Sequence, residues 1–310
     1  MDELFVRVKK LQQEKNALIL AHVYTPPEVQ DAADYVGDSL GLSRRSADAS
    51  VPQDRIIFCG VYFMAETAAL LAPQKKVYIP DPKAGCPMAD MAEVAEVLRL
   101  KAAHPGAAVV TYVNSTAAVK AVSDICVTSA NAVCIVRKLP QRRIIFIPDR
   151  SLGAYVAAQV PDKEIILWPG FCPTHHRILG EFLTRVKAAH PQALILAHPE
   201  NNKNVLEQAD FIGSTGQMQE YASASAAREF IIASENGLLH RLRTDNPDKK
   251  FYPVTPLAVC PNMQKNTLEK LGNVLENMER PADGAGLSVT VDEKIAVPAR
   301  RAIQRMLELS

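Results

Sequence analysis

Three stretches of this chain repeat one another, and a chain that repeats itself at this period folds as copies of one unit. They begin at Arg7 (RVKKLQQEKNALILAHVYTPPEVQDAADYVGDS), Arg99 (RLKAAHPGAAVVTYVNSTAAVKAVSDICVTSAN) and Arg185 (RVKAAHPQALILAHPENNKNVLEQADFIGSTGQ), so the starts lie 92 and 86 residues apart. Each copy reads as the end of a helix, a short apolar strand (ALILAH, AAVVTY, ALILAH), a helix rich in Ala and Val, and a second short strand. A third strand follows (RIIFCG, RIIFIP, EFIIAS), and later a fourth (KKVYIP, KEIILW, KKFYPV). Apolar runs bounded by Gly and Pro and alternating with helical patterns argue for βα units and parallel sheets. The expected fold is α/β: three homologous three-layer αβα domains of about 85 residues, each with a short parallel sheet. The boundaries fall at 1–85, 86–171 and 172–264. Residues 265–310 read as mostly helical with one short strand, LSVTV. No unit is left to pair with this segment, so it is expected to pack back on the first domain.

Composition narrows the partners. Lys and Arg number 35 against 34 Asp and Glu, and a net charge of +1 argues against a large nucleic-acid footprint. No apolar run approaches the roughly 20 residues that span a bilayer. The opening MDELFVRVKK is amphipathic and has no apolar signal region, so a cytoplasmic protein with free thiols is expected. Six cysteines there call for burial, catalysis or metal binding.

The repeat singles out polar residues. The first strand of each copy ends in a pair two apart: His22 and Tyr24, Tyr112 and Asn114, His198 and Glu200. Residues i and i+2 of a strand share a face, and the C-terminal ends of such strands are the ligand side of open α/β sheets. A hydroxyl stands 17 residues after each first member, at Ser39, Ser129 and Thr215. Each lies before a helix, where a capping hydroxyl and free N–H groups suit an anion. Taken singly, each residue reads as a helix cap or a structural strand end. Three copies at one spacing favour a site, and units around a pseudo-threefold axis bring nine polar side chains to one cavity. The glycines of GSTG and GDSLG do not make a dinucleotide fingerprint.

Each repeat also ends in Cys-Pro: Cys86 in AGCPMADM, Cys172 in GFCPTHHR and Cys260 in AVCPNMQK. A helical pattern follows each, so Pro is expected at the first helical position and the thiol at a helix N-terminus that lowers its pKa. The spacings of 86 and 88 residues exclude local zinc-finger and ferredoxin motifs but not a centre assembled by symmetry. Three thiolates suit a [4Fe–4S] cluster with one open iron, and they also suit zinc. Cys59, Cys126 and Cys134 lack the Pro and the repeat and read as small buried hydrophobes. His175 is expected at the cavity and His176 away from it. His104, His190 and His240 read as surface, capping or helix-face residues.

Taken together, AHVYTPPEVQDAADYVGDSL, YFMAETAALL, AGCPMADM, TYVNSTAAVK, VTSANAV, FIPDRSLG, WPGFCPTHH, AHPE, IGSTGQM, ASENGLLHRL and VCPNMQKNTL resemble the quinolinate synthase family over essentially the whole chain. The resemblance implies three homologous domains around a pseudo-threefold axis and a [4Fe–4S] cluster on Cys86, Cys172 and Cys260. It implies condensation of iminoaspartate with dihydroxyacetone phosphate to quinolinate, phosphate and water in de novo NAD biosynthesis. A functional link to an iminoaspartate-producing enzyme follows, with no nucleic acid and no membrane. By motif, His22, Ser39, Tyr112, Asn114, Ser129, His198, Glu200 and Thr215 contact substrate. Tyr24 matches an acid–base tyrosine, Glu200 is the candidate base, and His22 moves protons beside them. The family's AHYYQ reads AHVYT here, and Leu257 and Val254 stand where some relatives carry extra cysteines, so no regulatory disulfide is expected. Other three-domain, three-cysteine iron–sulfur enzymes, such as hydroxymethylbutenyl diphosphate reductase or a diphthamide-synthesis enzyme, share the geometry. A zinc hydrolase on His22, His198 and Glu200 leaves the Cys-Pro junctions unexplained.

Overall fold

The strands of each repeat form one small sheet, and the three sheets share one strand order. The structure, a computed structural model, describes residues 3–279 and 287–310. The first sheet holds β1 (Ala17–His22), β2 (Tyr35–Gly37), β3 (Arg55–Cys59) and β4 (Lys76–Tyr78), in the order β2-β1-β3-β4. The second holds β5 (Ala108–Tyr112), β6 (Ile125–Val127), β7 (Arg143–Ile147) and β8 (Glu164–Leu167), ordered β6-β5-β7-β8. The third holds β9 (Leu194–Ala197), β10 (Phe211–Ile212), β11 (Glu229–Ala233) and β12 (Lys250–Pro253), ordered β10-β9-β11-β12. Every pairing within a repeat is parallel. The expected α/β architecture of short parallel sheets flanked by helices is the observed one.

The first strand of each repeat lies between its second and third, so the winding reverses there and a crevice opens beyond the strand ends. The central strands are buried on both faces, which is why they read as unbroken apolar runs. An aspartate fixes the edge strand in every copy. Asp34, Asp124 and Asp210 accept the backbone N–H of Ile19, Val109 and Ile195 at 2.8, 2.8 and 2.7 Å. Their own N–H groups return to the carbonyls of those same residues.

The last segment divides. Helix Leu268–Asn277 packs on helix Glu3–Glu14 through Leu271, Leu275 and Val8, and β13 (Ser288–Val289) pairs antiparallel with β4. Helix Glu293–Leu309 touches the first domain, where Arg300 Nε donates to the Leu70 carbonyl at 2.6 Å, and it also covers the second sheet. Its buried stripe, Ala296, Ala299, Ile303 and Met306, joins the core of the second sheet with Ala117 and Ile125. The stripe recurs at helical spacing and needs an apolar face, which the second sheet offers. The first and third sheets share a core through Leu20, Phe58, Leu196 and Phe230.

Candidate active site and metal centre

The C-terminal ends of the three central strands open on one cavity of about 170 Å³. Its wall carries the three strand-end pairs His22 and Tyr24, Tyr112 and Asn114, and His198 and Glu200. The hydroxyl residues Ser39, Ser129 and Thr215 and the cysteines Cys86, Cys172 and Cys260 line the same space. The residues singled out by the repeat are thus brought together, each by the βα junction at its own strand end.

Two of the strand ends fix a histidine tautomer in the same way. His22 Nδ1 accepts the Tyr24 N–H at 3.2 Å, and His198 Nδ1 accepts the Glu200 N–H at 3.3 Å. The proton of each neutral ring therefore sits on Nε2, and His198 Nε2 donates to Ser129 Oγ at 3.1 Å. Burial lowers the His22 pKa to about 4, against the pull of Asp38 and Glu200, and lowers His198 to about 3. Both are neutral donors at pH 7.

A buried hydrogen-bond chain crosses the cavity wall. Tyr112 donates to Glu200 Oε1 at 2.7 Å, and His175 Nδ1 lies 2.7 Å from Glu200 Oε2. His175 Nε2 is 3.3 Å from Ser234 Oγ, which is 2.9 Å from the Tyr24 hydroxyl. Burial alone would raise the Glu200 carboxyl, but His175, with His198 and the Tyr112 hydroxyl, holds it below the usual carboxylate range. It is an ionised acceptor at neutral pH. Burial and the Glu200 charge push the hydroxyls of Tyr24 and Tyr112 well above the usual range, so both keep their protons.

The hydroxyl residues are placed differently from the expectation. Asp38 and Ser214, not Ser39 and Thr215, cap helices Ser39–Ala47 and Thr215–Ala224. Ser39 and Thr215 occupy the first helical turn, because the preceding polar side chain already satisfies the orphan N–H groups. Neither hydroxyl makes a side-chain hydrogen bond among the described residues, so both are free toward the cavity. Ser129 sits in the turn before helix Ala132–Lys138, whose cap position is Asn131. Asn114 adds a buried Oδ1 with no partner, an acceptor whose isolation carries a cost unless a ligand meets it. Among the described residues, Arg177 is the one Arg or Lys on the wall.

The Cys-Pro segments also depart from the expectation. Each cysteine opens a short turn and a 3₁₀ helix (Ala89–Met91, His175–Arg177, Met263–Lys265), and the long helix begins later, at Val94, Gly180 and Leu268. The break comes where a residue leaves helical geometry to be buried: Ala92, Ile178 and Asn266. Backbone N–H groups of the turn still reach sulfur, from Ala89 and Met88 to Cys86, His175 to Cys172, and Met263 and Asn262 to Cys260. They do not produce a lowered thiol pKa. Burial pushes Cys86 up to about 12, raises Cys172 well above the usual thiol range and raises Cys260. A thiol so placed ionises when a bound cation replaces the lost solvation. Each loop is pinned two residues before its cysteine: Tyr62, Arg150 and Asn236 N–H donate to the carbonyls of Ala84, Gly170 and Ala258 at 2.7, 2.8 and 2.8 Å. Glu235 additionally accepts the Cys260 N–H at 2.9 Å.

Cys59 and Cys126 are fully buried, as expected, but Cys134 is exposed. Its helix buries Ala132, Ile135 and Val136, which leaves position 134 on the solvent side. His175 lines the cavity, whereas His176 leaves it to meet Ser151 at 3.0 Å and stack on Phe171. His190 stacks on Tyr252, and His240 pairs with Asp31. Asp38, Ser234, Glu235 and Arg177 escaped the sequence reading. Asp38 stands one residue before Ser39, and Ser234 and Glu235 follow the third strand of their repeat, so the strand-end rule applied to every strand finds them.

Three small parallel sheets that present their strand ends and one cysteine each to a shared cavity lay out an α/β enzyme with a composite active site. Residues 6–308 match the family described as Quinolinate synthetase A protein. The chain is 49% identical over 305 residues to the quinolinate synthase of Caldicellulosiruptor saccharolyticus, covering 98% of this chain and 97% of that one. It is 50% identical over 308 residues to that of Geobacter metallireducens, covering 99% and 98%. It is 50% identical over 305 residues to that of Dehalococcoides mccartyi strain BAV1, covering 98% and 97%. The chain belongs to the quinolinate synthetase A family.

Proposed function

We propose that the chain condenses iminoaspartate with dihydroxyacetone phosphate to give quinolinate, phosphate and water in de novo NAD biosynthesis, with a [4Fe–4S] cluster on Cys86, Cys172 and Cys260. The observation that carries this reading is that one thiol from each repeat lines the same cavity as the Glu200–Tyr112 pair and the three hydroxyl residues. The donor spacing supports a cluster over a lone zinc ion. Among the described residues, the three cysteine sulfurs do not form a group within 4.8 Å of one another, as the donors of a single ion would. The division into domains at 1–85, 86–171 and 172–264 goes with this reading, since each supplies one thiol.

When bound, the cluster supplies a Lewis-acidic iron for a substrate oxygen. The protein's own groups do the rest. Helix N-termini and free hydroxyls at Ser39 and Thr215 bind carboxylate or phosphate, with Ser129 beside them. This is how a chain of net charge +1, with Arg177 on the wall, holds two anionic substrates. The Nε2–H of His22 donates to a substrate oxygen, and that of His198 orients the Ser129 hydroxyl beside the substrate. Ionised Glu200 accepts a proton, held in line by Tyr112 and His175. Tyr24 keeps its proton and donates it. A separate enzyme supplies the iminoaspartate.

The test is anaerobic purification with iron and sulfide analysis, followed by quinolinate assay. Cys86→Ser, Cys172→Ser and Cys260→Ser should each lose the cluster and turnover, while Cys59→Ser, Cys126→Ser and Cys134→Ser keep it. A full iron complement in any of the first three variants overturns the ligand assignment. An intact cluster without quinolinate overturns the reaction.

A further inference from the structure

Cys172 faces two ways. Besides lining the cavity with Cys86 and Cys260, its Sγ lies 3.3 Å from His175 Nδ1, which lies 2.7 Å from Glu200 Oε2. The three donor atoms all fall within 4.8 Å of one another, and His175 and Glu200 are 1% and 3% exposed. A tetrahedral zinc ion, with bonds of about 2.0 Å to nitrogen or oxygen and about 2.3 Å to sulfur, sets its donors roughly 3.3–3.7 Å apart. The sulfur–nitrogen spacing already matches. The nitrogen–oxygen spacing is that of the proton now between them, and it opens by about 0.6 Å when an ion takes the proton's place.

The atoms that would not ligate are already held. Glu200 Oε1 accepts from Tyr112 at 2.7 Å, and His175 Nε2 lies 3.3 Å from Ser234 Oγ. Such second-layer contacts orient a histidine and a carboxylate toward a metal. One thiolate, one imidazole and one carboxylate form a donor set for a borderline-soft divalent ion, with the cavity side open for water.

We propose that, in the cluster-free chain, Cys172, His175 and Glu200 bind one Zn²⁺, and that this ion blocks cluster assembly until it is removed. Binding releases the Cys172 thiol proton, and the His175 ring proton moves from Nδ1, where it faced Glu200, to Nε2. The His175 Nδ1 lone pair then faces the metal, and a proton on Nε2 faces Ser234. The exclusion of the cluster rests on the proposed role of Cys172 as one of its ligands. The binding of the ion does not.

The experiment uses the full chain, stripped of iron anaerobically and titrated with Zn²⁺ alone against a chromophoric chelator. One ion per chain is expected. His175→Ala and Glu200→Gln should weaken binding roughly tenfold or more, whereas Cys86→Ser and Cys260→Ser leave it unchanged. X-ray absorption of the wild-type zinc form needs no variant and should show one sulfur with nitrogen and oxygen neighbours. Zinc-loaded chain should then resist cluster reconstitution until a chelator is added. Three sulfur neighbours, or zinc binding lost in Cys86→Ser and Cys260→Ser but kept in His175→Ala and Glu200→Gln, would place the ion in the thiol centre and overturn the proposal, as would the absence of stoichiometric binding. Zinc-free chain that fails to rebuild a cluster would instead sink the cluster reading and leave the ion site standing.

Discussion

His22 shows how much chemistry a single strand-end residue carries. Its Nδ1 is occupied by the Tyr24 N–H, and its burial lowers its pKa from 6.5 to about 4. Between those two pH values the unfolded chain binds a proton there and the folded chain does not, so stability from this residue is complete above pH 6.5 and is lost as the pH falls toward 4. At about 1.4 kcal/mol per pH unit the loss is on the order of 3 kcal/mol. Urea denaturation at pH 7 and at pH 4.5 measures it. The wild-type midpoint should fall on acidification, and His22→Gln, which removes the titrating ring, should fall by clearly less. An equal fall in both would show that His22 is protonated in the folded chain. His198, held by the same contact one repeat pair away, leaves a second acid-sensitive ring in the variant.

At the level of strands and helices, what could be read from the sequence was what the repeat duplicates. The sheet strands, the paired residues at their ends and the Cys-Pro junctions recur at fixed spacing, so each copy checked the others. Features set by contact between copies carried no such signal. Nothing in GDSL or GSTG says that Asp38 and Ser214 do the capping. That assignment is reinforced across repeats, where Ser214 Oγ donates to Asp38 Oδ2 at 3.0 Å. Helix Glu293–Leu309 has an apolar stripe, but the stripe does not name the sheet it covers. The aspartate clamp was in plain view and went unread, in AADYVG, VSDICV and QADFIG. It matters because it sets where the second strand lies, and the hydroxyl junction follows directly. In Asp210→Ala the Ile195 N–H loses its partner, a buried-backbone cost of about 1–3 kcal/mol. The edge strand Phe211–Ile212 has two residues and pairs on one side only, with β9. Hydrogen exchange should therefore rise across β10 and the first turn of helix Thr215–Ala224, with the urea midpoint lowered by a comparable energy. Unchanged exchange there would mean that the clamp is redundant with packing.

Across the whole molecule, the three repeats meet twice, in apolar cores and at the cavity. The apolar contacts are unequal: the first and third sheets share a core, while the second is bound chiefly through the terminal helix. The cavity is where all three take part, each lining it with one cysteine, and the proposed cluster would join those three thiols. Without a metal those cysteines are partly buried neutral thiols, Cys86 with its pKa pushed up to about 12, and they contribute no cross-link. A group that binds only the folded chain stabilises it by mass action, about 2.7 kcal/mol at a hundredfold excess over its dissociation constant. In a protein of this size that corresponds to a rise in Tm of roughly 4 °C. The difference in Tm between cluster-loaded and anaerobically chelated protein isolates this contribution from everything else the fold does. It should be present in the wild type and absent in Cys86→Ser, because losing one of three ligands loses the shared centre. Cys59→Ser supplies the contrast: it buries a hydroxyl in the first sheet, lowers Tm in both forms, and leaves the difference between them intact. A Cys86→Ser protein that keeps the difference would show that the cluster does not tie the first repeat to the other two.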